Sequence, residues 1–478
     1  MKILMTASEM APLAASGSLG TGVAVLARSL RALGHEVSVV LPLHRSARET
    51  ATLKKTKVKF SVTVGNAKYA TEIFETTAPD GTQVFLVARD EFFDRSGLYG
   101  NESGDYQDNS TRFVFFTKCA LELARRMDPA PEVIHSHGWQ TALAGVFVRE
   151  GQLPFRTVFT PHGLEYQGNF WSYDFALTNL PGEYFSARGL EFFGSLNLLK
   201  SGILFSDVVV LPGERFVAAA QTPAHGCGLE VVLRENAAKL LGIPDGQELE
   251  GWDPALDPAL ASPFSLRKIK NRAANASKLA EVFSWDPGAI ATFVVFADAS
   301  DGLDLVFDAL DRLLPGGVRV ALLGKPGKAN RRAAEIAARK HRGHFSWIEE
   351  FSEDQARLAL GGADFLLVPG AANPLSSWLM RALVYGLIPV AFQTQGLFQL
   401  VTERRQDSGN GFYFAEASVD ALIDACRKAL AGTAKPADRE AVVRACMEAD
   451  FSPKASAKAH EALYLRLVGP SDSRKKAA

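Results

Sequence analysis

Residues 8–20, SEMAPLAASGSLG, have the spacing of a phosphate-binding loop. An apolar run from Ile3 to Thr6 reads as a strand, and Gly17 and Gly20 punctuate the loop that follows. Val23, Leu26, Leu30 and Leu33 then recur along one face of a helix expected over about 21–33. A strand, a glycine loop and a helix N-terminus together aim backbone N–H groups at an anion. The loop itself carries no cation, because Ala14, Ala15 and Ser16 fill it. Glu9, at its start, reads equally as a ligand for a hydroxyl group and as a brace for the loop.

A second place suited to an anion lies further along. The run VRVALL leads into GKPGKANRR, which puts Lys325 and Lys328 at the carboxyl end of a strand with Arg331 and Arg332 behind them. Doubly wound domains meet their ligands there. The plainer reading, which we favour, is a solvated basic helix start. His162 follows the strand TVFTPH and reads as a cleft residue, with a cap bonding a loop carbonyl as the alternative. His135 and His137 are read as alternating to opposite faces of a strand end, an arrangement that does not chelate one metal.

These residues need elements to hold them. Short apolar runs alternate with helical patterns for most of the chain, as in parallel βαβ architecture. Strands are expected at 2–6, 36–41, 57–64, 83–88, 132–136, 156–160 and 206–211, then at 291–297, 317–323, 344–348, 363–368 and 387–392. Runs such as SDVVVL and ATFVVFA suit strands covered on both faces. Helices are expected over 303–313 and 375–386. The fold class is therefore α/β, with two facing Rossmann-like doubly wound domains. Their expected bounds are 1–252 and 289–452. The segment 253–288, which opens with the Pro- and Asp-rich DPALDPALASPF, reads as the connector. A final helix over 453–469 is expected to pack back toward the first domain, ahead of a disordered tail at 470–478. Two such domains suit a two-substrate enzyme, and fold alone does not say which.

Composition excludes several classes. At 478 residues the chain exceeds one ordinary core. With 47% hydrophobic and 22% charged residues it is globular rather than disordered. A net charge of -1 gives no reason to expect nucleic acid or an acidic membrane as partner. Cys119, Cys227, Cys426 and Cys446 are scattered, which fits buried thiols in a reducing compartment. The N-terminus does not read as a signal peptide, and no apolar run approaches the roughly 20 residues of a membrane span. A cytoplasmic protein without a metal cofactor is expected.

Several strings in sequence order resemble bacterial glycogen synthases and plant starch synthases. They are SEMAPL, DRSGLYGNESGDYQDNSTRFVFF, HSHGWQTAL, TPHGLEYQGNF, LLKSGILFSDVV, GCGLEVVLREN, LLGIPDGQELEGWDPALDP, GLDLVFDAL, GGADFLLVP and YGLIPVAF. The resemblance implies a GT-B fold, a retaining transfer of glucose from ADP-glucose to an α-1,4-glucan, and no metal. It also implies that the first domain serves the acceptor and the second the nucleotide sugar. Trp139 then either stacks on a sugar ring or packs as core.

The departures fall where that family does its chemistry. The lysine of its first loop aligns with Ala15, and the loop's second glycine with Ser18, beside the retained Gly17. The His-Asp-Trp-His segment aligns with His137, Gly138, Trp139 and Gln140. The family's diphosphate-binding arginine and lysine align with Phe296 and Asp301. Its glutamate near the transferred glucose aligns with Asn373, ahead of Ser376 and Ser377. Glu9, His162, Trp139 and Thr394 are retained.

Losing one preorganised charge partner typically costs about 10² to 10³ in rate. An added like charge about 4 Å from the anion costs a further 4 kcal/mol or so at an effective dielectric near 20. The expectation is a family member with an impaired centre, retained to bind a glucan or nucleotide sugar. Two alternatives remain open: an active transferase with a rebuilt or different donor site at Lys325 and Lys328, and a non-catalytic partner of an active synthase.

Overall fold

The computed structural model describes residues 1–246, 249, 251–285, 288–297, 302–370, 377–393, 400–405 and 408–469. The chain divides into two compact units, Met1–Glu248 with Ser452–Ala478, and Leu249–Phe451.

The first unit is built on a nine-stranded sheet. Its strands are β1 (Lys2–Thr6), β2 (Glu36–Pro42), β3 (Lys54–Val64), β4 (Ala67–Thr77), β5 (Gln83–Ala88), β8 (Val133–His137), β9 (Arg156–Thr160), β13 (Val208–Leu211) and β14 (Leu240–Gly242). Short pairs β6 (Gly100–Asn101) and β7 (Gly104–Asp105), and a three-stranded sheet of β10 (Asn169–Phe170), β11 (Glu191–Phe192) and β12 (Ser195–Asn197), lie outside it. The sheet order is β14-β13-β9-β8-β1-β2-β5-β4-β3. All pairs from β14 to β5 are parallel, whereas β5, β4 and β3 pair antiparallel. The strand expected at 57–64 is therefore one arm of a hairpin, and its partner β4 is a strand the periodicity did not announce. Chain order reverses between β1 and β8, and doubly wound sheets take ligands at that switch point, beyond the carboxyl ends of the strands.

The second unit repeats the plan with β15 (Ala291–Phe296), β16 (Val318–Leu323), β17 (Phe345–Ile348), β18 (Phe365–Val368), β19 (Ile388–Phe392) and β20 (Phe412–Phe414). Its order is β17-β16-β15-β18-β19-β20, parallel throughout. The four central strands are buried along essentially their whole length, which accounts for their unbroken apolar runs. Here the switch point lies between β15 and β18.

The Pro-rich stretch that composition assigns to a connector is built into the second core. Trp252, Leu260, Phe264, Leu279, Phe283 and Trp285 are all buried there. Asp257 anchors it: the buried carboxylate accepts from the Tyr385 hydroxyl, from Arg357 at 3.2 Å and from the Ala259 N–H at 2.9 Å. At the other end, the C-terminal helix Pro453–Val468 belongs to the first unit and packs on the helix Ser18–Ala32.

Replacing Asp257 by alanine leaves Arg357 without a buried counter-charge. We expect a loss of about 3–5 kcal/mol in the second unit, visible in denaturant unfolding of the full chain; a midpoint within error of wild type would show that the anchor is dispensable.

Candidate functional site

In the first unit the switch point brings together the loop after β1 and the end of β8. The loop doubles back on itself through Met10 and Ala14, whose backbones exchange N–H···O bonds of 2.8 and 3.0 Å, and the Ala11 N–H reaches the Gly20 carbonyl at 3.0 Å. A Cβ on Gly20 would come within 3.0 Å of the Ala15 Cβ and 3.2 Å of the Ala14 oxygen, so the glycine permits this closure. Gly17 has open space around it and extended backbone. Ala15 and Gly17 are exposed, and the helix starts at Ser18, three residues before the expected Thr21.

Glu9 braces the loop. Its buried carboxylate accepts from the Ser16 N–H at 2.6 Å, from the Ser16 hydroxyl at 2.9 Å and from the Tyr99 hydroxyl. One N–H that the motif aims at an anion is thus already given to an anion of the chain itself. Tyr99, which no sequence motif singled out, is held well above its ordinary pKa by burial and by the adjacent Glu9 charge. Trp139 resolves toward packing: its ring lies 5.1 Å from Phe113 and 5.6 Å from Phe170, and a Cβ on Gly168 would strike it at 2.5 Å.

Beside this loop lies a cluster of histidines. His135 and His137 do not diverge as expected. Residues two apart on a strand share a face, and their rings lie 4.0 Å apart. His135 bonds the Tyr464 hydroxyl at 2.7 Å and the Thr160 hydroxyl at 2.8 Å. The Nδ1 of His137 pairs with Nε2 of His162 at 3.0 Å, and the His137 Nε2 is buried without a partner. His162 holds a left-handed backbone, φ +61°, a strain typical of functional positions. The C-terminal helix contributes His460, 5.6 Å from His135, and Tyr464. His137, His162, His460, Ser456 and Asp245 line a cavity of about 20 Å³, room for one water. Ser456, His460 and Tyr464 recur every fourth residue, the one sequence signal that marks this face. Among the described residues no group of three or more His, Cys, Asp or Glu side chains is placed to hold a metal.

In the second unit the switch point is aromatic. Phe296, the last residue of β15, is 1% exposed. It stacks on Trp378, in the first turn of the helix Ser377–Val384, with ring centres 4.2 Å apart and planes 4° from parallel. Phe351 closes on both rings at 5.9 and 5.7 Å, and Trp252 meets Trp378 edge-on at 5.8 Å. Arg381 also lies over the Trp378 ring, 4.8 Å from its centre, and over Trp252 at 4.1 Å. Phe296 covers one face of the indole, so Trp378 stands between this guanidinium and the strand end. Burial lowers the Arg381 pKa, and its buried Nε finds no partner. Arg357, 4.1 Å over Trp252, is already paired with Glu353 and Asp257.

The basic run after β16 is exposed. Lys325 bonds Glu350 at 2.9 Å, which raises its pKa, and Arg331 bonds Glu349 at 2.7 Å. Lys328 opens the helix Lys328–Lys340 and is exposed. Asp301, Asn373, Ser376 and Thr394 lie outside the described residues, as does the side chain of Ser377.

Comparison with known proteins matches both halves. A family model described as starch synthase catalytic domain matches residues 2–235, and one described as glycosyl transferases group 1 matches residues 286–444. Glycogen synthase 2 of Geobacter sulfurreducens is 33% identical over 97% of this chain and 98% of its own length. The glycogen synthase of Alkalilimnicola ehrlichii is 34% identical over 99% of this chain and 100% of its own. Among solved structures, the catalytic domain of starch synthase IV from Arabidopsis thaliana, bound to ADP and acarbose, matches with a TM-score of 0.70 at 25% identity. That match covers 98% of this chain and 99% of that one. A sucrose-phosphate synthase from Thermosynechococcus elongatus matches in fold, with a TM-score of 0.55 at 15% identity over 98% of both chains.

The histidine cluster sets a pH dependence. Burial, reinforced by neighbouring imidazoles, holds His135 and His137 well below the ordinary value, and burial lowers His460 to about 4. These rings stay neutral when folded and take up protons near pH 6.5 when unfolded. Their stabilisation is complete above about pH 6.5 and is lost as pH falls, for His460 down to about 4. Each ring contributes a slope of about 1.4 kcal/mol per pH unit in that window. The denaturant midpoint should fall between about pH 7.5 and about pH 5, and His460→Gln should flatten the fall; equal midpoints in wild type would contradict the burial of neutral rings.

Proposed function

Because the chain belongs to the glycogen and starch synthase family, with its GT-B fold, we propose that it binds a glucan but no longer transfers glucose from ADP-glucose by the family's route. The observation that carries this reading is the Phe296–Trp378 stack at the carboxyl end of β15. A diphosphate brought to that switch point would meet a hydrocarbon surface, and Arg381 is screened from it by the Trp378 ring. The position at which the family places an arginine is here part of an apolar core.

The first unit supports the same conclusion. The loop position of the family's lysine is Ala15, so the loop itself offers an incoming diphosphate no cation. With two preorganised donors lost, at about 10² to 10³ each, transfer falls by about four to six powers of ten. A rebuilt donor site at Lys325 and Lys328 gains no support, since Glu350 and Glu349 neutralise Lys325 and Arg331. The Arabidopsis relative was solved with both ADP and a saccharide, acarbose, and among the positions this chain retains by resemblance is His162.

Transfer of labelled glucose from ADP-glucose to a glycogen primer tests the proposal. The expected incorporation is below about a thousandth of that of the Geobacter relative under the same conditions; rates within tenfold of that enzyme would overturn it.

A further inference from the structure

We infer that the end of the small sheet formed by Trp171, Tyr173 and Phe193 on the first unit is a binding surface for a neutral α-glucan chain, whose sugar rings lie on the exposed aromatic faces. Among the described residues the exposed aromatic side chains are Tyr166, Trp171, Tyr173 and Phe193, at 84%, 73%, 75% and 86%. All fall in one excursion of the chain. Elsewhere among the described residues the aromatic rings are buried or half-buried.

The sheet register brings Trp171 and Phe193 to one end and leaves Tyr166 beyond the other. Phe170 of β10 pairs with Leu196 of β12, which puts Trp171 level with Ser195, and Ser195 pairs with Phe192 of β11. Trp171 and the Phe193–Gly194 turn therefore occupy the same end of the sheet, two strand spacings or about 10 Å apart. Trp171 and Tyr173 meet edge to face at 5.1 Å, so one ring props the other instead of collapsing onto the core. Phe193 holds φ +48°, followed by Gly194 at +80°. A bulky residue takes that backbone only under constraint, and the constraint here presents its ring to solvent.

The surroundings identify the occupant. Residues 165–197 carry Glu165, Asp174, Glu183 and Glu191 against Arg188 alone. That charge repels phosphate-bearing ligands and anionic lipid headgroups. The excursion exposes no large aliphatic side chain among its described residues, which argues against an apolar protein groove. Separate ring faces bordered by carboxylate and amide groups, among them exposed Asn169, suit a ligand with flat C–H faces and a rim of hydroxyl groups. The Trp171 indole N–H and the Tyr173 hydroxyl bond no partner among the described residues. This inference rests on the glucan-binding reading.

Native electrophoresis of the full chain through gels containing glycogen tests both. Wild type should be retarded. The double variant Trp171→Ala, Tyr173→Ala should bind at least tenfold more weakly, and Phe193→Gly, which removes the ring and relieves its backbone, should also bind more weakly with an undiminished melting temperature. Retarded wild type with equally retarded variants would overturn the surface and leave the reading intact. Wild type that migrates as in a glycogen-free gel would overturn the reading and the surface with it.

Discussion

A single contact, the parallel stack of Phe296 on Trp378, fills the end of β15 at the second unit's switch point, and the proposed function depends on it. It joins the end of β15 to the first turn of the helix Ser377–Val384, the two elements whose backbone dipoles and side chains would otherwise converge on an anion. Aromatic pairs of this geometry contribute about 0.5–1.5 kcal/mol beyond the area they bury. Here the pair also extends a core that runs through Phe351 and Trp252 to Tyr385. Opening it to admit a charged group would expose that core. The family scaffold is thereby kept, and under the proposed function the same side chains close off its charge chemistry.

The first unit closes its own loop by a different device. Glu9 acts as an internal anion, binding the N–H and hydroxyl of Ser16. The carboxylate is one the resemblance retains, so this brace belongs to the family scaffold, whereas the indole stack of the second unit stands where the resemblance expects a cation. The histidine face next to the loop is held by burial of neutral rings and by the C-terminal helix, so its order depends on the same absence of charge. What remains accessible is suited to hydroxyl groups and ring faces.

Much of this fold is legible in the sequence, for identifiable reasons. β15, β16, β18 and β19 are covered on both faces, so each is an uninterrupted apolar run. β4 escaped notice because Lys68, Glu72 and Glu75 interrupt its apolar residues and only Thr71 and Ile73 are buried. The stretch after Trp252 looks like a connector because prolines and aspartates outnumber the large apolar side chains that anchor it. Phe296 and Ala15 were legible as missing cations by resemblance, but the partner Trp378 comes from a distant element and leaves no mark in spacing. The facing of His135 and His137 was misjudged although strand periodicity fixes it. Tyr99, which completes the grip on Glu9, sits within the resembling string DRSGLYGNESGDYQDNSTRFVFF, but nothing in that string ties it to Glu9.

The proposal at the centre is that Ala15 and the Phe296–Trp378 stack leave the two switch points without the cations a diphosphate needs. Calorimetric titration of the full chain with ADP addresses it without requiring turnover. The account predicts no resolvable binding heat up to about 1 mM ligand, a free energy weaker than about −4 kcal/mol. Saturable binding with a micromolar dissociation constant, about −8 kcal/mol, would contradict it.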